Sequence, residues 1–241
     1  MKNYLITGAA KGLGLAITKD LLNDSQNVVF GLNRKNTPEY EALMKAHPER
    51  VFFLPYDLKN IDGLRNKVFV DFMKKAPIHG FVNNAALAYD DIITNLRLDP
   101  LEAMFRVNVY APMMLTKLAI RNMLLHKIQG SIVHISSISV HTGYKGLSMY
   151  AASKGALEAF SKNTAREWGS IGIRSNAVVA GFMETDMSAT LDADQKSRIY
   201  ARTSLKKATE KTSVAATVSF LLSENAASIT GQIVHVDSGT I

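Results

Sequence analysis

Tyr150 and Lys154 stand four residues apart in Ser148-Met149-Tyr150-Ala151-Ala152-Ser153-Lys154, a segment that continues as Gly155-Ala156-Leu157-Glu158-Ala159-Phe160. Apolar residues at 149, 152, 156, 157 and 160 predict an amphipathic helix. Side chains at i and i+4 share a helix face, so a phenol and an ammonium would sit side by side. A free tyrosine titrates near pH ~10 and moves protons poorly at neutral pH. A nearby positive charge favours the phenolate and lowers that value. The pair is therefore a candidate acid/base device. The same spacing also fits a surface lysine beside a half-buried tyrosine, so the rest of the chain must supply the context.

The first piece of context lies at the start. Tyr4-Leu5-Ile6-Thr7 reads as a short strand, and residues 15–22 have helical spacing. Between them runs Gly8-Ala9-Ala10-Lys11-Gly12-Leu13-Gly14, spaced Gly-x-x-x-Gly-x-Gly. Strand, glycine-rich turn and helix form the setting in which a backbone can approach a dinucleotide pyrophosphate at a helix N-terminus. The next strand, 28–32, ends in Asn33-Arg34-Lys35, with no acid to take a ribose 2′-hydroxyl. Arg34, helped by Lys11, would instead suit a 2′-phosphate through charge-assisted hydrogen bonds. That favours NADPH over NADH, although Arg34 and Lys35 also fit a plain polar loop.

Further strands are predicted at 51–54, 80–82, 131–137, 173–179 and 233–236, and helices at 61–72, 100–126, 148–168 and 214–222. Pro112 is expected to kink the second of these helical segments. Strands alternating with helices predict an α/β fold, a single doubly wound parallel sheet of about seven strands with helices on both faces (a Rossmann fold). Ligands then bind at the C-terminal ends of the strands, where Asp57, Leu58, Asn84, Ala85, Ala86, Ser137 and Gly181 fall. The segment 182–208 is longer than an ordinary connection and is expected to cover a substrate. With no repeat, linker or low-complexity tract, residues 1–241 read as a single domain.

Composition narrows the class. The 241 residues are 47% hydrophobic, which suits a packed globular chain. There is no cysteine, hence no disulfide framework or thiolate metal site. No apolar run reaches the ~20 residues of a membrane span, and the N-terminus lacks a signal-peptide core. A cytoplasmic protein is expected, with neither membrane nor nucleic acid as partner. The formal net charge of +7 is scattered, and fits a solvated lysine-rich surface or attraction of an anionic ligand. His126, His134 and His141 lack metal-ligand spacing and an obvious acid partner, so they read as structural, and no metal is expected.

Taken together, Thr7 to Gly14, Asn83-Asn84-Ala85-Ala86, Asn108, Ser137 and Tyr150-x-x-x-Lys154 resemble the short-chain dehydrogenase/reductase family along essentially the whole chain. Residues 180–187 and 229–239 look like the β-ketoacyl-acyl-carrier-protein reductases. The resemblance implies reduction of a carbonyl. Tyr150 would be the proton donor, and Lys154 would hold the nicotinamide ribose and depress the Tyr150 pKa. Ser137 would bond the carbonyl oxygen, in preference to Ser136. Asn108 would hold a helix kink and a water linking Lys154 to solvent. It also implies cofactor contacts from Gly8, Lys11, Gly12, Leu13, Gly14, Asn33, Arg34, Asp57, Leu58, Asn84, Ala85, Ala86, Gly181, Met183 and Thr185. The substrate would be a small-molecule or carrier-protein-bound carbonyl, and the assembly a homotetramer or homodimer. Three departures stand out: Ala86 replaces a usual glycine, Ala180 a proline and Ser238 a glycine. The basic positions typical of carrier-protein-dependent members hold Ile128 and Ile171, with Lys127 and Arg174 nearby to compensate.

Overall fold

Alternate side chains of each central strand point to opposite faces of one sheet. Tyr4 and Ile6 join one apolar cluster while Leu5 joins another; Val133 and Ile135 oppose Ile132 in the same way. Near-continuous apolar strands of this kind need cover on both faces. The computed structural model describes residues 1–184 and 192–240. Its strands are β1 (Lys2–Thr7), β2 (Asn27–Asn33), β3 (Val51–Pro55), β4 (Gly80–Asn83), β5 (Ser131–Ser137), β6 (Arg174–Ala180) and β7 (Ile233–Val236). All pair in parallel, in the order β3-β2-β1-β4-β5-β6-β7. The order reverses between β1 and β4, and this is the switch point at which such sheets bind ligands.

The helices are α1 (Gly12–Leu21), α2 (Pro38–Ala46), α3 (Leu98–Phe105), α4 (Ala111–His126), the short α5 (Ser139–Thr142), α6 (Ser148–Trp168), α7 (Ala193–Ala201) and α8 (Lys211–Leu222). Among the described residues no helix is long and apolar enough to cross a membrane. α1 and α8 cover one face, with Ile17, Val214 and Val218 in its cluster. The opposite face is covered in part by α4, whose Leu115, Ala119 and Met123 meet Leu5, Phe81 and Ile132.

Several expectations shift. The segment expected to be helical at 61–72 is a wide-turned π-helix, Leu64–Phe72. The stretch expected as one kinked helix at 100–126 begins earlier, at Leu98, and breaks upstream of its proline. A π-helical turn, Arg106–Tyr110, separates α3 from α4, and Pro112 falls in the first turn of α4, where its missing N–H costs little. α2 and α7 have no counterpart among the predicted helices. α6 forms where expected, but its buried face is Met149, Ser153, Lys154, Leu157, Glu158, Ser161 and Thr164, whereas Ala152 is exposed. The face that packs is thus displaced by one residue from the apolar stripe, and it is largely polar.

α2 shows how a strand glycine makes room for a helix. Thr37 caps α2 by accepting from the Tyr40 N–H at 3.2 Å, and its hydroxyl donates to the Ala10 carbonyl at 2.7 Å. This seats the fully buried Tyr40 ring over Gly31 of β2. A Cβ at Gly31 would lie 2.2 Å from the Tyr40 hydroxyl oxygen and 2.9 Å from the Ala9 methyl. Gly31→Ala is therefore expected to destabilise the protein by about 1–3 kcal/mol through overpacking. Urea unfolding would show a lower midpoint at an unchanged slope, and an unchanged midpoint would mean that Tyr40 yields freely.

Candidate active site

The β1–β4 switch point is closed by one small network. The buried Thr7 hydroxyl accepts from the Asn84 and Ala85 N–H groups, each at 3.0 Å. The Asn84 amide donates back to the Thr7 and Gly8 carbonyls at 3.0 and 3.2 Å. Gly8 and Gly12 both have positive φ, +69° and +55°. A Cβ on Gly14 would fall 2.0 Å from the Gly8 carbonyl oxygen, so turn and helix touch backbone to backbone. A Cβ on Gly12 would meet nothing within 4 Å, because that position opens into a cleft. No side chain caps α1, which leaves its first N–H groups facing anionic ligand space. A bare backbone cradle at a helix N-terminus fits a dinucleotide diphosphate.

The cleft holds about 980 Å³ and runs along the C-terminal ends of the strands. Gly8, Lys11, Gly12, Leu13, Asn33, Arg34, Asp57, Leu58, Asn84, Ala85 and Ala86 line it toward β2 and β3, and Ser137, Tyr150, Lys154, Gly181 and Met183 toward β5 and β6. The structure thus gathers these expected site residues into one space. Thr185 lies outside the described residues, as do residues 185–191 of the expected covering segment. From that segment Phe182, Met183, Ile199 and Arg202 reach the cleft. Gly181 is fixed by a close approach: its Cβ would lie 2.3 Å from the Thr209 hydroxyl and 2.5 Å from the Asp237 Cα.

Asn108 lines no part of the cleft. It sits fully buried in the π-helical turn, with its Oδ1 on the Leu87 N–H at 2.8 Å. Its amide hydrogens go to the Leu87 carbonyl at 2.9 Å and the Ser153 hydroxyl at 3.0 Å. Ser153 in turn donates to the Tyr150 carbonyl at 2.7 Å. Asn108 therefore braces the loop after β4 against the Tyr150 turn of α6. Both amide hydrogens are taken, so a water held by Asn108 would have to donate to one of its oxygens.

Lys154 is 2% exposed, and its Nζ donates to the Ile135 carbonyl at 2.8 Å. Burial lowers its pKa from 10.5 to about 8. The Nζ stands 5.8 Å from the Tyr150 ring centroid. The expected depression of the Tyr150 pKa is reversed. Burial, and then the negative charge of Asp90, push the phenol above its ordinary value. The lysine's charge is directed at a backbone carbonyl, and loss of hydration outweighs it at the phenol. Asp90 lines the same cleft, and its own carboxyl is raised by burial.

Ser136 and Ser137 both border the cleft but differ in their partners. Ser136 is buried and its hydroxyl donates to the Glu158 carboxylate. Ser137 faces the cleft and accepts from Ser139. Glu158 also meets the His141 Nε2 at 3.1 Å, and the His141 ring packs edge-on against His235 with centroids 4.7 Å apart. His141 therefore does have an acid partner, contrary to the sequence reading, because α5 folds back onto α6. His134 is buried in β5 against Phe160, with its pKa lowered to about 3 by burial and then by Lys154. Sequence reasoning gave no site role to Thr7, Asp90, Ser139 or Ser153. Only Ser139 and Ser153 left a local trace: a serine-rich strand end, and a serine three residues after Tyr150.

Comparison with known proteins agrees with this geometry. The family model described as enoyl-(acyl carrier protein) reductase matches residues 8–240. The chain belongs to the short-chain dehydrogenase/reductase family, and it is an oxidoreductase that works with a nicotinamide cofactor. It is 33% identical over 235 residues to the 3-oxoacyl-[acyl-carrier-protein] reductase FabG of Buchnera aphidicola, covering 97% of this chain and 95% of that protein. It is 32% identical to the L-xylulose reductase of Caenorhabditis elegans, covering 99% and 95%. Among solved structures, a 4-hydroxyisoleucine dehydrogenase complexed with NADH superposes with a TM-score of 0.92 at 26% identity, over 100% of this chain and 98% of that one.

The buried lysine sets a pH dependence of stability. Folded Lys154 gives up its proton near pH 8, whereas an unfolded lysine keeps it to about 10.5. Between those values the unfolded chain binds more protons, so stability rises with pH. Relative to Lys154→Met, the cofactor-free wild type should gain stability from pH 8 to 10.5 and show a constant difference below pH 7. Thermal melts of both proteins across that range would show it, and parallel curves throughout would rule it out.

Proposed function

We propose that this enzyme uses NADPH to reduce a ketone to a secondary alcohol, with a 3-oxoacyl thioester as the leading substrate. The observation that carries this is one cleft with Lys11 and Arg34 at the end where β2 finishes without an acid, and Tyr150, Lys154 and Ser137 at the other. When bound, the nicotinamide supplies the hydride. Arg34 would hold a 2′-phosphate, and the Gly8–Gly14 turn the diphosphate. Asp57 would take the adenine side, and Lys154, anchored on Ile135, would hold the nicotinamide ribose.

Tyr150 delivers the proton to the carbonyl oxygen. Its raised pKa suits that direction, since the phenol enters each turnover protonated. Ser137 donates to the same oxygen and stabilises the charge that develops there. Similarity to the FabG reductases supports an acyl thioester. The carrier-protein form has less support: Ile171 is exposed where a basic residue would help, and Arg174 is committed elsewhere. Its guanidinium donates to the Leu221 carbonyl at 2.7 Å and the Ser223 carbonyl at 2.9 Å, closing the end of α8.

A second reading, a small hydroxylated ketone, is favoured by Asp90. This exposed carboxyl at the cleft has no hydrogen bond or ion pair from the described residues, and is therefore available to accept from a substrate hydroxyl. The resemblance to L-xylulose reductase points the same way. A panel of acetoacetyl thioesters, carrier-bound and free, beside small hydroxy ketones separates the two readings by the ratio of kcat/KM.

Two variants test the assigned roles. Tyr150→Phe should lower kcat by about 10²–10⁴-fold while NADPH binding, read by fluorescence titration, stays close to wild type. Retained turnover would remove Tyr150 from the proposed role. Arg34→Ala should raise the KM for NADPH by roughly tenfold or more, the worth of one charged hydrogen-bond pair, and leave that for NADH unchanged. Equal effects on the two cofactors would argue against a 2′-phosphate contact.

A further inference from the structure

A serine hydroxyl has one hydrogen to give and two lone pairs to fill. Both acceptor sites of Ser137 are taken by a single neighbour. The Ser139 N–H lies 3.2 Å from the Ser137 Oγ, and the Ser139 hydroxyl donates to it at 3.0 Å. What remains to Ser137 is its own hydrogen, and no acceptor among the described residues takes it. Both serines border the cleft, Ser137 partly exposed and Ser139 only 3% exposed.

We propose that Ser139 is a positioning residue that commits Ser137 to a single role, donation of its hydrogen to the substrate oxygen. The inference rests on the carbonyl-reducing function proposed above. A serine free to rotate could equally accept a hydrogen bond, from water or from a substrate hydroxyl, and would then contribute nothing to a carbonyl. With both lone pairs filled, only the donating orientation is left. Donation into an oxygen also polarises its O–H, so the bond to the carbonyl oxygen strengthens as charge builds there.

The rest of the turn keeps Ser139 in place. The Ile138 N–H is bonded to the Ala180 carbonyl at 3.1 Å, which ties the start of α5 to the end of β6. His141, on the same short helix, is held by Glu158 of α6 at 3.1 Å. Glu158 also takes the Ser136 hydroxyl, so the hydrogen of the serine before Ser137 is committed to the carboxylate that anchors the turn after it. Of the three serines, one is spent on structure, one orients, and one faces the substrate.

The experiment is a double-mutant cycle on ketone reduction with NADPH, using wild type, Ser139→Ala, Ser137→Ala and the double variant, with melting temperature and NADPH affinity measured for each. Ser139→Ala should lower kcat about three- to tenfold, the worth of one hydrogen bond, with NADPH affinity unchanged. In the Ser137→Ala background the same change should cost less than about twofold, since nothing is left to orient. A full cost in both backgrounds would mean that Ser139 supports only the fold, and no cost in either would mean that Ser137 orients itself; each overturns the inference. Ser139→Cys preserves volume with a weaker donor and carries the same cycle if the alanine variant fails to fold. Wild type that reduces no ketone would instead overturn the functional reading beneath it.

Discussion

An ammonium taken out of water must be held by something, and in this protein it is the carbonyl of Ile135. Lys154 is almost fully buried, and among the described residues its one partner oxygen lies near the end of a central strand. That contact demands that α6 lie against β5 at a fixed height. Once it does, Tyr150 one turn earlier is brought to the cleft, and Ser153 one residue before Lys154 reaches Asn108. The cost of burying the charge appears in the lowered pKa of the lysine. A ribose at that place would share the cation with the Ile135 carbonyl.

The neighbouring site residues are held in part by the same means, small polar side chains bonded to main chain, with side-chain pairs such as Asn108 and Ser153 beside them. Thr7 and Asn84 lock the tips of β1 and β4 together, so the glycine-rich turn and the loop after β4 face each other across the cleft. Asn108 locks that loop to α6. The π-helical turn explains how a single asparagine can do this, because its wider winding sets the residue inside the helix stack instead of on its rim. Buried polar groups of this kind are costly unless satisfied, and here they are satisfied by the backbone segments that must be aligned.

Much of the fold was legible from pattern. The strands were visible as short apolar runs, and their alternation with helical segments implied a parallel sheet with the site at its C-terminal edge. What pattern missed has local causes. α2 carries Pro38, two glutamates and only one buried residue, Tyr40, so it has little apolar stripe to detect. α7 shows no buried residue at all. The buried face of α6 escaped notice because a hydrophobicity rule passes over serine, threonine, glutamate and lysine, the residues that this face uses.

The sequence by itself determined which groups were available: a phenol and an ammonium one turn apart, serines at a strand end, a glycine-rich turn before a helix, and a strand that ends in Arg34 where an acid might have stood. Those are properties of residue type and spacing, and spacing along a helix or strand fixes direction. Tertiary structure decided which groups were free. It withdrew Ser136 onto Glu158, gave His141 an acid partner, tied Arg174 to the end of α8, and raised the Tyr150 pKa where a neighbouring lysine alone would have lowered it. Hydrogen-bond partners and hydration are set by what the other elements bring alongside. Two adjacent serines are chemically alike in the chain, and they differ only once a buried carboxylate takes the hydrogen of one and leaves that of the other.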